Sequence, residues 1–228
     1  IKIKKRDRIV AYMPNTIETV EAFIATSSLG GIWSSCSPDF GTKGLIERFS
    51  QINPKVLFII DKYYYNGKMI NVLERLPEII KKIKSIKCIV IVNYPGEKYT
   101  SKEYKFKKVK IFKWSEIKKF RSEKIKNVIK KKKKNKKKKK KNFKLKKTKI
   151  FYWLEIMKYE PSKIVFKRFD FNDELAILYS SGTTGKPKCI CHRSGGVLLQ
   201  HKKEHQLHCN IKEDDNVFYF TTCGWMMW

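Results

Sequence analysis

Short apolar runs alternate with amphipathic stretches along the first part of the chain. Residues 8–13, "RIVAYM", read as a strand, and Pro14-Asn15 punctuates it. Asn15, with Glu18 three positions on, predicts a capped helix start; Ile17, Val20 and Ile24 then share one face, and Gly30-Gly31 end the element. "IWSSCS", 32–37, reads as extended, and 43–51 as a helix stopped before Pro54. "KVLFIID", 55–61, is a β-rich run, 69–84 carries a helical pattern, and "CIVIVN", 88–93, is a third strong strand. Strands and helices alternating at this spacing predict an α/β fold, with parallel sheets covered by helices.

After Val92 the pattern decays. Residues 97–150 lose apolar periodicity and become lysine-dominated, and 130–141 is eleven lysines broken once by Asn135. Such a stretch cannot bury enough apolar surface to order itself, so a disordered insert is expected. Order is expected to resume near Asp173, with a strand at 175–179, a glycine-rich loop, a helix at 194–209 and a strand at 216–222. The organisation expected is therefore a first α/β part at 1–96, a lysine-rich insert or linker at 97–169, and a second α/β part of the same domain at 170–228.

Composition modifies this picture in three ways. The net charge of +31 invites a polyanion partner, but much of the excess is regional, around the lysine run. Hydrophobic residues make up 42% of the chain, enough for a sizeable core, with no apolar run of about 18 residues that would span a bilayer. The six cysteines are scattered, and with no apolar signal segment at the start they favour a reducing, cytosolic setting. A chain opening on Ile1 and closing on "CGWMMW" reads as a fragment cut at both ends.

The chemistry concentrates in "LYSSGTTGKPK", 178–188. Ser180, Ser181, Thr183 and Thr184 offer hydroxyl donors, Gly182 and Gly185 let backbone amides approach an anion closely, and Lys186 and Lys188 add charge. Set between a strand and a helix at the carboxyl end of an α/β sheet, such a loop suits phosphate. Two other motifs fail. Pro187 stands where a Walker A loop needs its second glycine, and Leu178 and Tyr179 rule out the G-x-S-x-G of a nucleophile elbow.

"YSSGTTGKPK" resembles the phosphate-binding signature of the adenylate-forming superfamily, the acyl-CoA synthetases and their relatives. "YMPNTIETVEAFIATSSLGGIWSSCSPDFG", "ERFSQINPKVLF", "YYYNGK", "PKCICHRSGG", "QHKKEHQLH" and above all "TTCGWMMW" resemble its acetoacetyl-CoA synthetase branch, over roughly 1–95 and 170–228 and failing across the lysine insert. The resemblance implies a ligase that uses ATP, Mg²⁺ and coenzyme A as substrates and activates a short acyl acid, here acetoacetate. It implies that residues 180–185 wrap the β- and γ-phosphates while Lys186 and Lys188 neutralise charge. Gly224 and Trp225 would lie against the acyl pocket, and Gly67 and Lys68 match a position that contacts the CoA nucleotide, where relatives often carry arginine. It also implies that the adenine-binding segments and the adenylation lysine lie beyond Trp228, so no catalytic residue is assigned within the chain.

Other readings stay open beside this one. A synthetase for another short acid such as acetate is the runner-up. From a different class, the chain would be a non-catalytic remnant whose lysines bind polyanions without specific nucleic-acid recognition, since 130–141 has no interleaved aromatics. His201, Glu204 and His205 spell an inverted zinc-protease motif with His208 one turn on, but the segment follows a phosphate loop and a polar helix face is the expected role, with no metal. Tyr63-Tyr64-Tyr65 is expected to be a half-buried wall at a strand end.

Overall fold

The computed structural model describes residues 2–94, 148–160, 167–180 and 185–228. In chain order these form β1 (Arg8–Tyr12), α1 (Ile17–Ser28), β2 (Ile32–Cys36), α2 (Gly41–Ile52), β3 (Val56–Ile60), β4 (Lys62–Tyr65), β5 (Lys68–Asn71), α3 (Leu76–Lys82), β6 (Cys88–Val92), β7 (Lys149–Tyr152), α4 (Trp153–Ile156), β8 (Glu174–Ser180), β9 (Lys188–Arg193) and α5 (Ser194–Lys202). Among the described residues seven strands make one sheet in the order β7-β6-β3-β1-β2-β8-β9. Every neighbouring pair runs parallel except β8–β9.

Strands β1, β3 and β6 carry continuous apolar runs, as strands covered on both faces do. Val10, Ala11, Leu57, Ile59, Ile89 and Ile91 are fully buried. On one face a row of rings crosses the sheet: Phe23 of α1 meets Trp33 of β2 at 5.7 Å, Trp33 meets Phe58 of β3 at 6.4 Å, and Phe58 meets Trp153 of α4 at 6.1 Å. Leu45, Phe49 and Ile52 form the buried stripe of α2, spaced four and three apart as one helix face requires. Asn53 then ends that helix in the left-handed conformation, at φ 46°.

Several sequence expectations are corrected. The face of α1 that meets the sheet carries Thr19, Ala22 and Thr26, while Ile17, Val20 and Ile24 are 75%, 41% and 59% exposed. The threonines can be buried because they satisfy themselves locally: Thr19 Oγ1 donates to Pro14 O and Thr26 Oγ1 to Ala22 O, both at 2.8 Å. Small side chains then let the helix lie close to the strands. The helix is capped at Thr16, whose side chain meets the Thr19 hydroxyl at 3.3 Å and makes no capping bond to the helix backbone. The helical pattern at 69–84 divides into β5 and α3, because Asn66 and Gly67 (φ 48° and 71°) make the two-residue turn of a β4–β5 hairpin.

A strand precedes Asp173: β7 pairs with β6 from Cys88↔Lys149 to Ile91↔Tyr152, inside the stretch assigned to the insert. Most of the rest of that stretch, including the lysine run, lies outside the described residues. The segment 216–222 is irregular, with Val217, Phe218, Tyr219 and Phe220 from 59% to 87% exposed and no strand neighbour among the described residues. The loop after β8 opens onto a strand instead of a helix. Ser180 pairs with Lys188 where β8 and β9 run antiparallel, and α5 follows only at Ser194. "KCICHR" shows no two-residue alternation and is exposed at every position but His192, so nothing in its pattern marks it as a strand.

Candidate active site

Parallel strands β1, β2, β3 and β8 end on one edge of the sheet. Strand order reverses there: the chain passes from β1 to β2 on one side, then back across to β3 on the other. Ligands of α/β sheets occupy the carboxyl edge at such a switch point. Tyr12-Met13, Cys36-Ser37 and Ser180 form its floor.

Two adjacent serines of β2 organise this edge. Ser34, fully buried, donates to Ile177 O at 2.7 Å and lies 3.3 Å from the Tyr179 hydroxyl, both on β8. The β2–β8 ladder itself has a single register pair, Trp33↔Ala176, so the hydroxyl supplements a thin backbone junction. Ser35, 1% exposed, receives Trp33 Nε1–H at 3.2 Å and donates to the carbonyl of Cys223. One strand thus holds both β8, which leads into the loop, and the terminal segment 222–228.

That segment is seated by further contacts. The Cys223 thiol donates to Met13 O at 2.7 Å, and Trp228 Nε1–H donates to Asn15 Oδ1 at 2.9 Å with its ring 6.0 Å from Phe23. Gly224 lies flat on the turn after β2. A Cβ at this position would stand 2.5 Å from Phe40 Cε2 and 3.0 Å from Ser37 N, so only glycine fits. Phe40 is held from its other neighbours by the Arg48 guanidinium, 4.2 Å from the ring centroid.

The rim is polar and interlocked. Ser37 Oγ donates to Asp39 at 2.6 Å, and the Tyr12 hydroxyl donates to Pro38 O at 3.0 Å while accepting from Arg75. Arg75 also donates to Pro38 O at 2.9 Å. Burial pushes the Tyr12 phenol up to about 12 against the pull of Arg75, so it stays a neutral donor. Burial likewise raises the Tyr179 phenol and the Cys36 thiol, and takes the Cys223 thiol up to about 12.

Of the residues singled out in the sequence, Ser180 ends β8 and Lys188 begins β9 opposite it, exposed. Gly185 has φ 142°, a conformation open to glycine, and Lys186 beside it is exposed. Ser181, Gly182, Thr183 and Thr184 lie outside the described residues. Gly224 sits on the carboxyl edge, and Trp225 is 47% exposed on its rim, edge-on to Phe220 at 6.4 Å. Gly67 and Lys68 stand apart from these on the exposed tip of the β4–β5 hairpin, where the tight turn already explains the glycine. Tyr63 is buried and Tyr64 and Tyr65 are exposed. His201 and His205 stack at 5.9 Å; no group of three His, Cys, Asp or Glu suited to a metal occurs among the described residues. Nor is any described helix long and apolar enough to cross a membrane.

The sequence profile of AMP-binding enzymes matches residues 1–228 in full. The chain belongs to the AMP-binding enzyme family. It is 38% identical over 222 residues to the acetoacetyl-coenzyme A synthetase of Rhizobium meliloti (strain 1021), covering 97% of this chain and 28% of that protein. With the acetoacetyl-CoA synthetase of Gallus gallus it shares 37% identity over 227 residues, covering 99% and 28%. The solved structure of acetoacetyl-CoA synthetase from Streptomyces lividans superposes with a TM-score of 0.73 at 28% identity, again over 99% of this chain and 28% of that one. The chain therefore spans between a quarter and a third of these relatives' length, and the matched range includes the lysine-rich stretch.

Within this AMP-binding fold the anchoring residues were the ones sequence reasoning missed. Asn15, Ser34, Ser35 and Cys223 lie inside segments that resemble the family, and Arg75 outside them, but none was given an anchoring role. The available signal was the pair of serines inside "IWSSC", a strand otherwise apolar and buried at every position. Buried hydroxyls need partners, and here the partners are the two segments that meet at the edge.

Proposed function

We propose that this chain is the phosphate-loop part of an acid–thiol ligase that makes acetoacetyl-CoA. In the first half-reaction an acetoacetate oxygen attacks the α-phosphorus of ATP, which enters as its Mg²⁺ complex; the bond to the bridging oxygen breaks and pyrophosphate leaves. In the second, the CoA thiol attacks the acyl carbonyl, its proton is lost, and AMP departs. Ser180, Ser181, Gly182, Thr183, Thr184 and Gly185 wrap the β- and γ-phosphates, and Lys186 and Lys188 neutralise their charge. Gly224 and Trp225 bound the acyl group, and Gly67 and Lys68 meet the CoA nucleotide. The working compartment is the cytosol. In this reading the chain divides into 1–96, 97–169 and 170–228, with β7 inside the middle part.

The observation that carries the reading is that β2 anchors β8, at the foot of the glycine-rich loop, and the Gly224–Trp225 turn side by side at the carboxyl edge. Acyl activation requires that adjacency, because a carboxylate has to meet a phosphate held by the loop. The shared identity with proteins named acetoacetyl-CoA synthetase supports the choice of acid. The test is acid-dependent pyrophosphate release by the full-length gene product, with acetoacetate competing against acetate and butyrate. Acetoacetate is expected to give the highest kcat/KM, by a modest factor over close homologues, since one methylene is worth only about 1–3 kcal/mol. Faster turnover of acetate would assign the enzyme to a different short acid.

A further inference from the structure

We propose that Ser35 is a positioning residue for the acyl acid, and that the Ser34–Ser35 step of β2 sets the separation between the acyl segment and the phosphate strand. This rests on the reading that Gly224 and Trp225 bound the acyl group. The Ser35 hydroxyl makes its hydrogen bonds to Trp33 and Cys223, not to either of these residues. It acts through the carbonyl of Cys223, the residue immediately before Gly224.

The geometry gives this hydroxyl its leverage. Cys223 is fully buried, so its carbonyl has no access to solvent as a replacement partner. Ser35 is itself fixed from below, because Trp33 Nε1–H donates to its oxygen at 3.2 Å and orients the lone hydroxyl proton toward Cys223. The Trp33 ring is wedged between Phe23 and Phe58. The height of the segment over the sheet is thus transmitted from the aromatic row through Trp33 and Ser35 to Cys223. Its floor is Phe40, against which Gly224 has no room for a Cβ. The remaining anchor with a side-chain acceptor, Asn15 to Trp228, is at the exposed periphery, three residues beyond Trp225.

Ser34 performs the matching task on the other side. Its bonds reach Ile177 and Tyr179 of β8, in the turn of strand that leads into Ser180 and the loop. Successive residues of a strand point to opposite faces, so the two hydroxyls serve two segments without competing. The acid and the α-phosphate then keep one spacing because two neighbouring residues define it. Displacement of about 1 Å in such a pair is enough to cost roughly a hundredfold in rate.

The two serines are therefore separable by kinetics. In the full-length gene product, ATP–pyrophosphate exchange is measured with acetoacetate and ATP varied in turn. Ser35→Ala is expected to raise KM for the acid roughly tenfold, the size of one buried hydrogen bond, with KM for ATP within about twofold. Ser34→Ala is expected to do the reverse, and Ser35→Thr, which keeps the hydroxyl, to recover most of the acid KM. Where Ser35→Ala yields little folded protein, Ser35→Cys replaces it and is read in the same way. Both KM values unchanged, or both moving together in Ser35→Ala, would overturn the proposal. Trp225→Gly tests the underlying reading separately: a broadened range of accepted acids supports it. An unaltered order of acids would remove the acyl assignment, and the proposal with it, whatever the serine variants do.

Discussion

The thiol of Cys223 donates to the carbonyl of Met13 at 2.7 Å, joining residues 210 positions apart in sequence. The contact closes the terminal segment over the end of β1, and it accounts for the state of the sulfur. Removed from water, the thiol is pushed up to about 12, and it remains protonated and donating at neutral pH.

Thiol reactivity follows from this burial. All six cysteines are free, with Cys189, Cys191 and Cys209 exposed and Cys36, Cys88 and Cys223 buried. Iodoacetamide is expected to label the three exposed thiols first, and the buried three only as the chain unfolds, because the thiolate is the reacting species. Mass spectrometry of timed aliquots reads the order. Early labelling of Cys223 would show that the 222–228 segment is not seated on Met13.

A pair of adjacent glycines gives a sharper stability test. Gly195 and Gly196 both lie in the first turn of α5, yet a Cβ on Gly195 would stand 2.1 Å from the Phe171 ring, and one on Gly196 meets nothing within 4 Å. Gly196→Ala is expected to stabilise by about 0.5–1 kcal/mol through helix propensity alone. Gly195→Ala is expected to destabilise by about 1–3 kcal/mol, since the ring and the loop behind it have to shift. Urea midpoints of the two variants against the parent decide it, and equal shifts would place Phe171 away from α5.

These contrasts mark what was legible beforehand. β1, β3 and β6 were readable because strands covered on both faces become continuous apolar runs, and α2 because Leu45, Phe49 and Ile52 keep a helical spacing. The buried face of α1 was not, since self-bonded Thr19 and Thr26 look polar in sequence while Ile17, Val20 and Ile24 look like core. Pattern alone treats a hydroxyl as polar, and only its local partner shows that it can be buried. The loop's composition exposed its chemistry, but the antiparallel β8–β9 geometry depended on Ser180 pairing with Lys188, a contact with no compositional signature. The joining of β2 to residues 222–228 is likewise a long-range event that no local window contains.

The start of the chain is tied to β8 by charge. Arg6 donates two bonds to Glu174, at 2.8 and 2.6 Å, and this drives the carboxyl from its ordinary value of 4.5 down to about 2. A carboxylate depressed in the folded state contributes fully above its unfolded value and loses that contribution as pH falls through the folded one. Stability is therefore expected to decline between about pH 4.5 and 2. Glu174→Gln should be less stable at neutral pH and show a shallower acid slope, measured by denaturant midpoints at stepped pH. Identical slopes would mean that the fork does not form in solution.

The last prediction separates the loop from the lysine run, the two features of the sequence that both suit phosphate. Residues 130–141 place eleven lysines in sequence with one interruption, and their attraction for polyanions should follow counterion release, strong at low salt and steeply weaker as salt rises. The loop offers far less charge, but its two ends, Ser180 and Lys188, are paired at the end of β8. Replacing 130–141 by a neutral linker in the full-length gene product is expected to remove most heparin or RNA retention while leaving adenylation within about twofold. Thr184→Ala combined with Lys188→Ala is expected to lower adenylation by about a hundredfold or more, the scale seen when preorganised charge stabilisation is lost, with retention unchanged. Heparin retention across a salt gradient and ATP–pyrophosphate exchange read the two properties independently. Loss of exchange in the neutral-linker variant would assign the lysine run to the reaction and end the division of roles argued for the loop.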